Sequence, residues 1–278
     1  MYRRISVHLD QGFDCKRRTQ AAIGLAKRHQ AELVGIYATS APPQYYYGES
    51  VLMSRALNVM KDLQAQGRDS VQNAFLAAAS QADIPAQVRS DDTSPSASVA
   101  LHGRVSDLII VSQLNRDDVE AAHENEFVEQ TLLTAGRPVL VVPSSGHFPV
   151  IGERVLYCWD GSRESARALA DAAPVLRMAD HLVVLTMDEG AATRGAGSAS
   201  FDDLASYCEA QGMPRPEHVR RDIKGVGVGS TILNAAADYS ADLIVMGAYG
   251  HSKLREWAMG GATASILKTM TVPIMFSH

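Results

Sequence analysis

The chain lacks most of the signatures that would identify an enzyme at sight. Its 278 residues include three cysteines, Cys15, Cys158 and Cys208, with no C-x-x-C spacing and no even count. That suits a reducing compartment better than a disulfide scaffold. Nine histidines are scattered, and His123-Glu124 has no second histidine where H-E-x-x-H would need one. There is no G-x-S-x-G elbow and no Walker lysine. No run of 18 or more apolar residues is present, so no membrane span is expected. The opening MYRRISVHLD has two arginines, but the apolar run after them is too short for a signal peptide and stops at Asp10. Net charge is −5, from 26 basic against 31 acidic residues, which argues against a surface built to coat nucleic acid. A cytoplasmic protein that binds neither nucleic acid nor membrane is the expectation.

What is present is a repeat. RISVHLD, ending at Asp10, returns as RVLYCWD, ending at Asp160, an offset of 150 positions. SDLIIVS (Ser106–Ser112) returns as ADLIVMG (Ala241–Gly247), and RPVLVVP (from Arg137) as VPIMFS (from Val272), both offset by 135. A repeat this long is a duplicated domain rather than a solenoid unit, and the shrinking offset places the differences in internal loops. The hydrophobic fraction of 46% and charged fraction of 21% are those of a globular protein with room for two cores. The reading is residues 1–145 for the first domain and 150–278 for the second. PSSGHFPVIG (143–152) serves as the linker.

Short Val/Ile/Leu-rich runs alternate with alanine-rich stretches of helical length. That order predicts an α/β fold of two doubly wound domains, each a mainly parallel five-stranded sheet flanked by helices. Strands are expected near 3–9, 32–37, 84–89, 107–112 and 138–142, then near 153–159, 181–187, 217–222, 242–247 and 272–276. Helices are expected near 14–29, 51–82, 95–105 and 117–134, then near 162–178, 200–211, 228–239 and 261–270, with Pro174 kinking or shortening the first of the second set. Three tyrosines in the turn-rich segment 38–50 could line a groove or fold back as amphipathic cover.

Two segments could carry chemistry. Met246 to Thr263 places Gly247 at a strand end, Gly250 three positions on and Gly260 ten beyond it, followed by Gly261, Ala262 and Thr263. In an open α/β sheet ligands sit beyond the carboxyl ends of the strands. Glycine there permits close backbone approach, and the amides of the following helix face the same crevice. The competing reading is a plain strand-to-helix turn. Asp160, in WDGSRESARAL, is either a helix cap or an acceptor for a ribose hydroxyl or adenine amine. KGVGVGS (Lys224–Ser230) is neither a dinucleotide fingerprint nor a P-loop and is read as a helix entry. Cys158 lies within a strand, where burial rather than nucleophilicity is expected.

Taken together, Asp160 with its DGS, the G-x-x-G-x9-G spacing of Gly247, Gly250 and Gly260 before a helix, and the closing VPIMF strand resemble the universal stress protein family in a tandem form. The resemblance covers nearly the whole chain. It implies adenine-nucleotide binding, ATP or AMP, with magnesium accompanying the phosphates. Asp160 would then contact the adenosine portion and Met187 the adenine. Met246, Gly247, Gly250, Gly260, Gly261, Ala262 and Thr263 would surround ribose and phosphates. Gly261 stands where the family usually has Ser or Thr, and Thr263 is the nearest hydroxyl. The first copy has Ser112, Asn115, Asn125 and Glu126 in the glycine positions, which implies no nucleotide there. Glu126 is expected to aim its carboxylate at the phosphate position. The resemblance also implies pairing of last strands, Val139–Val142 with Ile274–Phe276, within the chain, and homodimers as well. The functions that follow are a non-catalytic nucleotide-binding stress-response regulator, a slow ATP hydrolase, or a ligand-free partner-binding protein.

Overall fold

A computed structural model describes residues 1–38, 51–91, 93–115, 117–118, 126–188, 200–223, 225–248 and 262–278. The first half runs β1 (Arg4–Leu9), α1 (Cys15–His29), β2 (Glu32–Tyr37), α2 (Val51–Gln81), β3 (Ala86–Ser90), α3 (Pro95–Gly103), β4 (Leu108–Ser112), α4 (Phe127–Thr134) and β5 (Val139–Val142). The second runs β6 (Arg154–Cys158), α5 (Arg163–Leu176), β7 (His181–Asp188), α6 (Phe201–Ala210), β8 (Glu217–Asp222), α7 (Val228–Asp238), β9 (Leu243–Gly247), α8 (Ala262–Thr269) and β10 (Ile274–Ser277).

The ten strands among the described residues form one sheet in the order β3-β2-β1-β4-β5-β10-β9-β6-β7-β8. Neighbours within each half are parallel, and the two halves join where β5 and β10 pair antiparallel, with Ile274 opposite Val141 and Phe276 opposite Val139. Each of these strands would otherwise be an open edge, and VLVV or IMFS left unpaired would invite association. One face of the sheet is covered by α1, α2, α5 and α6 and the other by α3, α4, α7 and α8. Covered on both sides, the central strands have no water-facing row, hence the unbroken apolar runs such as LIIV and VLVV.

The two halves repeat their fastenings as well as their strands. The Asp107 carboxylate accepts from the amides of Arg3 (2.6 Å) and Arg4 (3.0 Å), tying the start of β1 to β4. Asp242, 135 positions on, accepts from the amides of Gly152 (2.6 Å), Glu153 and Arg154 (both 3.1 Å) at the start of β6. Asp242→Ala would strand three amides at once. We expect a loss of about 2–3 kcal/mol, at the level of hydrogen bonds to a charged group, read as a lower urea midpoint with unchanged slope.

The segment between the halves is held rather than loose. Arg17 donates to the carbonyls of Ser144 and Gly146, and Arg28 to those of Ile151 and Met178. Tyr2 Oη donates to the Asp171 carbonyl at 3.0 Å, and Gln113 Nε2 to the Leu267 carbonyl at 2.7 Å.

One expected element differs. The helix expected over 117–134 begins at Phe127, and Asp117 and Asp118 belong to a turn that Asn115 closes by accepting from the Asp117 amide at 3.1 Å. Asn and Asp side chains compete for local amides and favour turns over helix interiors. Pro174 stays inside the last turn of α5, which ends at Leu176. The tyrosines at 45–47 lie outside the described residues.

Candidate functional site

The repeat order places a switch point beside β6. The crossover through α5 leads to β7 on one side, and α7 leads back to β9 on the other, so the ends of β9, β6 and β7 frame the place where a crevice forms in open α/β sheets. The last registered pairs are Tyr157 with Val245 and Cys158 with Leu185. Just past them stand Met246 and Gly247 on β9, Asp160 after β6, and Met187 on β7.

Side-chain alternation sorts these residues between the faces. Met187 and Met246 are partly buried against the core under α3, α4, α7 and α8, the core to which Cys158 also belongs. They flank the end of β6 on that face, two polarizable thioether side chains suited to an aromatic ring. Asp160 is exposed, and Oδ1 accepts from the Ser162 amide at 2.9 Å, closing a tight turn through Gly161 at φ 74°. The helix cap is a different residue. Ser162 caps α5, its Oγ accepting from the Ser165 amide at 3.1 Å. Asp160 thus keeps acceptor capacity facing the crevice.

Gly247 is required for a reason its spacing did not reveal. A Cβ on it would stand 2.6 Å from the Glu164 carbonyl carbon and 2.7 Å from the Ser165 nitrogen. The first turn of α5 therefore rests directly on the end of β9. Glu164 itself is buried, and its Oε2 has no hydrogen-bond partner among the described residues. Neither Glu164 nor Ser165 stood out in the sequence, where RES reads as an exposed first turn. Ala262 and Thr263 are the first two residues of α8, while Gly250, Gly260 and Gly261 lie outside the described residues. Cys158 is buried, and burial followed by the nearby Asp160 charge pushes its thiol up to about 12, so it is no nucleophile. In the KGVGVGS segment, Gly227 at φ 84° leads into α7.

At the corresponding strand ends of the first half the polar side chains engage one another. Asp10 Oδ2 lies 3.1 Å from Arg18 Nη2, and Oδ1 accepts from the Gly12 amide at 3.0 Å. Ser112, at the place of Gly247, accepts from Arg18 Nη1 at 2.7 Å. Asn115 donates to Asp14 at 3.3 Å. Glu126 does not do what was expected of it: it is exposed and accepts from Gln130 at 3.4 Å, one helical turn on. An exposed carboxylate gains more from water and a neighbouring amide than from turning into the protein. Asn125 is outside the described residues.

Comparison with known proteins agrees with this architecture. Residues 152–278 match the universal stress protein family. A universal stress protein of Synechocystis is 26% identical over 159 residues, 55% of this chain, and the chain spans about half (51%) of that relative's length. Among solved structures, a universal stress protein from Archaeoglobus fulgidus superposes with a TM-score of 0.72 at 16% identity, over 99% of this chain and 95% of that one. A functionally unknown protein from Pseudomonas aeruginosa does so at 0.58 and 15% identity, over 99% and 92%. At these identities the structures establish the fold. The family's sequence pattern thus lies across residues 152–278, and the fold shared with these structures runs along the whole length.

Proposed function

We propose that the chain is an adenine-nucleotide-binding stress-response regulator, taking ATP or AMP in its second domain, with domain limits at 1–145 and 150–278. The observation that carries this reading is the contrast between the two aspartates. Asp160 is exposed at the strand ends with the Ser162 amide on one oxygen, whereas Asp10 is engaged by a buried arginine. A carboxylate at that position accepts from neutral donors, such as ribose hydroxyls or the adenine amine. The flanking Met187 and Met246 offer apolar contact to the base. The phosphates would fall to the segment from Gly247 through Gly250, Gly260, Gly261, Ala262 and Thr263, with the amide end of α8 favouring negative charge. Among the described residues no three metal-ligating side chains converge, so magnesium would arrive with the phosphates.

Asp160→Ala tests the assignment. Losing hydrogen bonds to a charged acceptor costs about 1.5–3 kcal/mol, roughly ten- to a hundred-fold in affinity. Adenosine and ATP should weaken by similar factors in isothermal titration. A loss confined to ATP would move Asp160 to the phosphates and contradict the reading. Regulation rather than turnover is the role proposed, because the glycine segment carries no Walker lysine and no paired carboxylates in its sequence. ATP turnover is expected far below the order of 10 per second of dedicated enzymes.

A further inference from the structure

We infer that Arg18 is the group that shuts the first half's crevice: its guanidinium sits as a built-in ligand between Asp10 and Ser112, the places that Asp160 and Gly247 hold in the second half. The inference rests on the reading of Asp160 given above.

Arg18 is among the largest side chains removed from solvent, 1% exposed. Its Nε donates to the His8 carbonyl at 2.5 Å, its Nη1 to Ser112 Oγ at 2.7 Å, and its Nη2 lies 3.1 Å from Asp10 Oδ2. One side chain therefore reaches the ends of both β1 and β4, the two strands that border the crevice. Burial resists ionisation of Asp10, but Arg18 and His8 outweigh it and the carboxyl is held below its ordinary range. A buried charge survives only when so paired.

The duplicated helix shows what the second half has instead. The buried stripe of α1 is Arg18, Ala21, Ala22, Leu25, Ala26 and His29. That of α5 repeats it 147 positions on, as Ser165, Ala168, Leu169, Ala172, Ala173 and Leu176. Arg18 thus corresponds to Ser165, whose hydroxyl turns back on its own helix and donates to the Ser162 carbonyl at 2.9 Å. Where the first half sends a cation from this helix position across the strand ends, the second half has a serine turned back on its own helix.

The mouth is closed by the opposite charge. Asp118 Oδ2 accepts from the Phe13 amide at 3.0 Å, and a Cβ on Gly12 would collide with Asp118 and lie 3.1 Å from Asp10 Oδ1. An entering nucleotide would find the acceptor occupied by Arg18 and a carboxylate over the opening. Missing glycines alone would leave adenosine, which has no phosphates, able to bind. Arg18 excludes adenosine too.

Equilibrium dialysis against adenosine, counting equivalents bound per chain, tests this with the full-length protein and Arg18→Ser. The variant should bind one equivalent more than the unaltered chain. A folded variant whose count does not rise overturns the inference. The count for the unaltered chain, one or none, judges the second-half site separately. A measurement that needs no variant guards against a misfolded one. His8 donates through Nε2 to the Ala38 carbonyl at 2.9 Å, packs its ring 4.6 Å from the tilted ring of Phe127, and turns Nδ1 to Asp10 Oδ2 at 3.3 Å. Burial, aided by Arg18 against the opposing pull of Asp10, holds that ring down to about 4, so its NMR signal should stay neutral to below pH ~5. Titration at or above 6.5 would mean that Asp10 pairs with His8 instead, and would overturn the inference whatever the variant does.

Discussion

Gly247→Val is expected to abolish adenine-nucleotide binding and to destabilise the second half together. The added side chain must displace the carbonyl carbon of Glu164 and the nitrogen of Ser165, 2.6 and 2.7 Å from the position its Cβ would take. These are backbone atoms of the first turn of α5 and cannot rotate away. Moving that turn moves Ser162 and the Asp160 turn joined to it. Overpacking a filled site costs about 1–3 kcal/mol, and a displaced Asp160 should add at least a ten-fold loss of affinity. Urea unfolding and ATP titration of the same preparation separate the two. Ser112→Val, at the corresponding place in the first half, should leave nucleotide affinity unchanged. Unchanged binding in Gly247→Val would mean that the end of β9 does not border the site.

Acidification should unfold the first half well before ordinary carboxylate titration would. Two of its histidines are buried and neutral. His8 is 6% exposed and held down to about 4, mainly by burial and then by Arg18, against the opposing pull of Asp10. His29 is 0% exposed, packs its ring 4.8 Å from that of Tyr2, and has no hydrogen-bond partner on either nitrogen. Burial and then neighbouring positive charge, including Arg28, hold it to about 4. Both folded values lie below the unfolded value near 6.5, so the unfolded chain takes up protons first. The stability these rings protect is whole above pH 6.5 and is lost as pH falls toward 4. Each ring accounts for about 3 kcal/mol over that window. Urea midpoints at pH 7.5 and 4.5 should differ accordingly, and His29→Phe should remove about half of the difference. A midpoint that holds steady, or rises, between those values would contradict the burial of both rings.

The strands were legible because they are covered on both faces, which writes each one as a short apolar run. Val139–Val142 and Ile274–Phe276, paired in the structure, stood out for the same reason. Among the described residues the helix limits differ most at Asp117 and Asp118, where the Asn115 side chain accepts from the Asp117 amide and Asp118 accepts from the distant Phe13 amide. The closure of the first crevice was assigned in the sequence to Glu126 and the absent glycines. Arg18 went unnoticed because CKRRTQ at a helix start reads as a solvated first turn. A signal was present: Arg18 stands three and four residues before Ala21 and Ala22, on the apolar stripe of α1. Gly247 was legible as a candidate but not for its cause, since a contact with the backbone of α5 leaves no trace in spacing. Asp160 was readable as a cap or as an acceptor, and only the capping bond from Ser165 to Ser162 removes the first option.

Photolabelling with 8-azido-ATP followed by peptide mapping tests the central claim most directly, because the azide reports where the adenine lies. The account predicts label confined to residues 152–278, on the peptides that carry Asp160, Met187 or Met246, and competed away by AMP and by adenosine. Label on the peptides of Asp10, Arg18 or Ser112, or none that adenosine can displace, would contradict it.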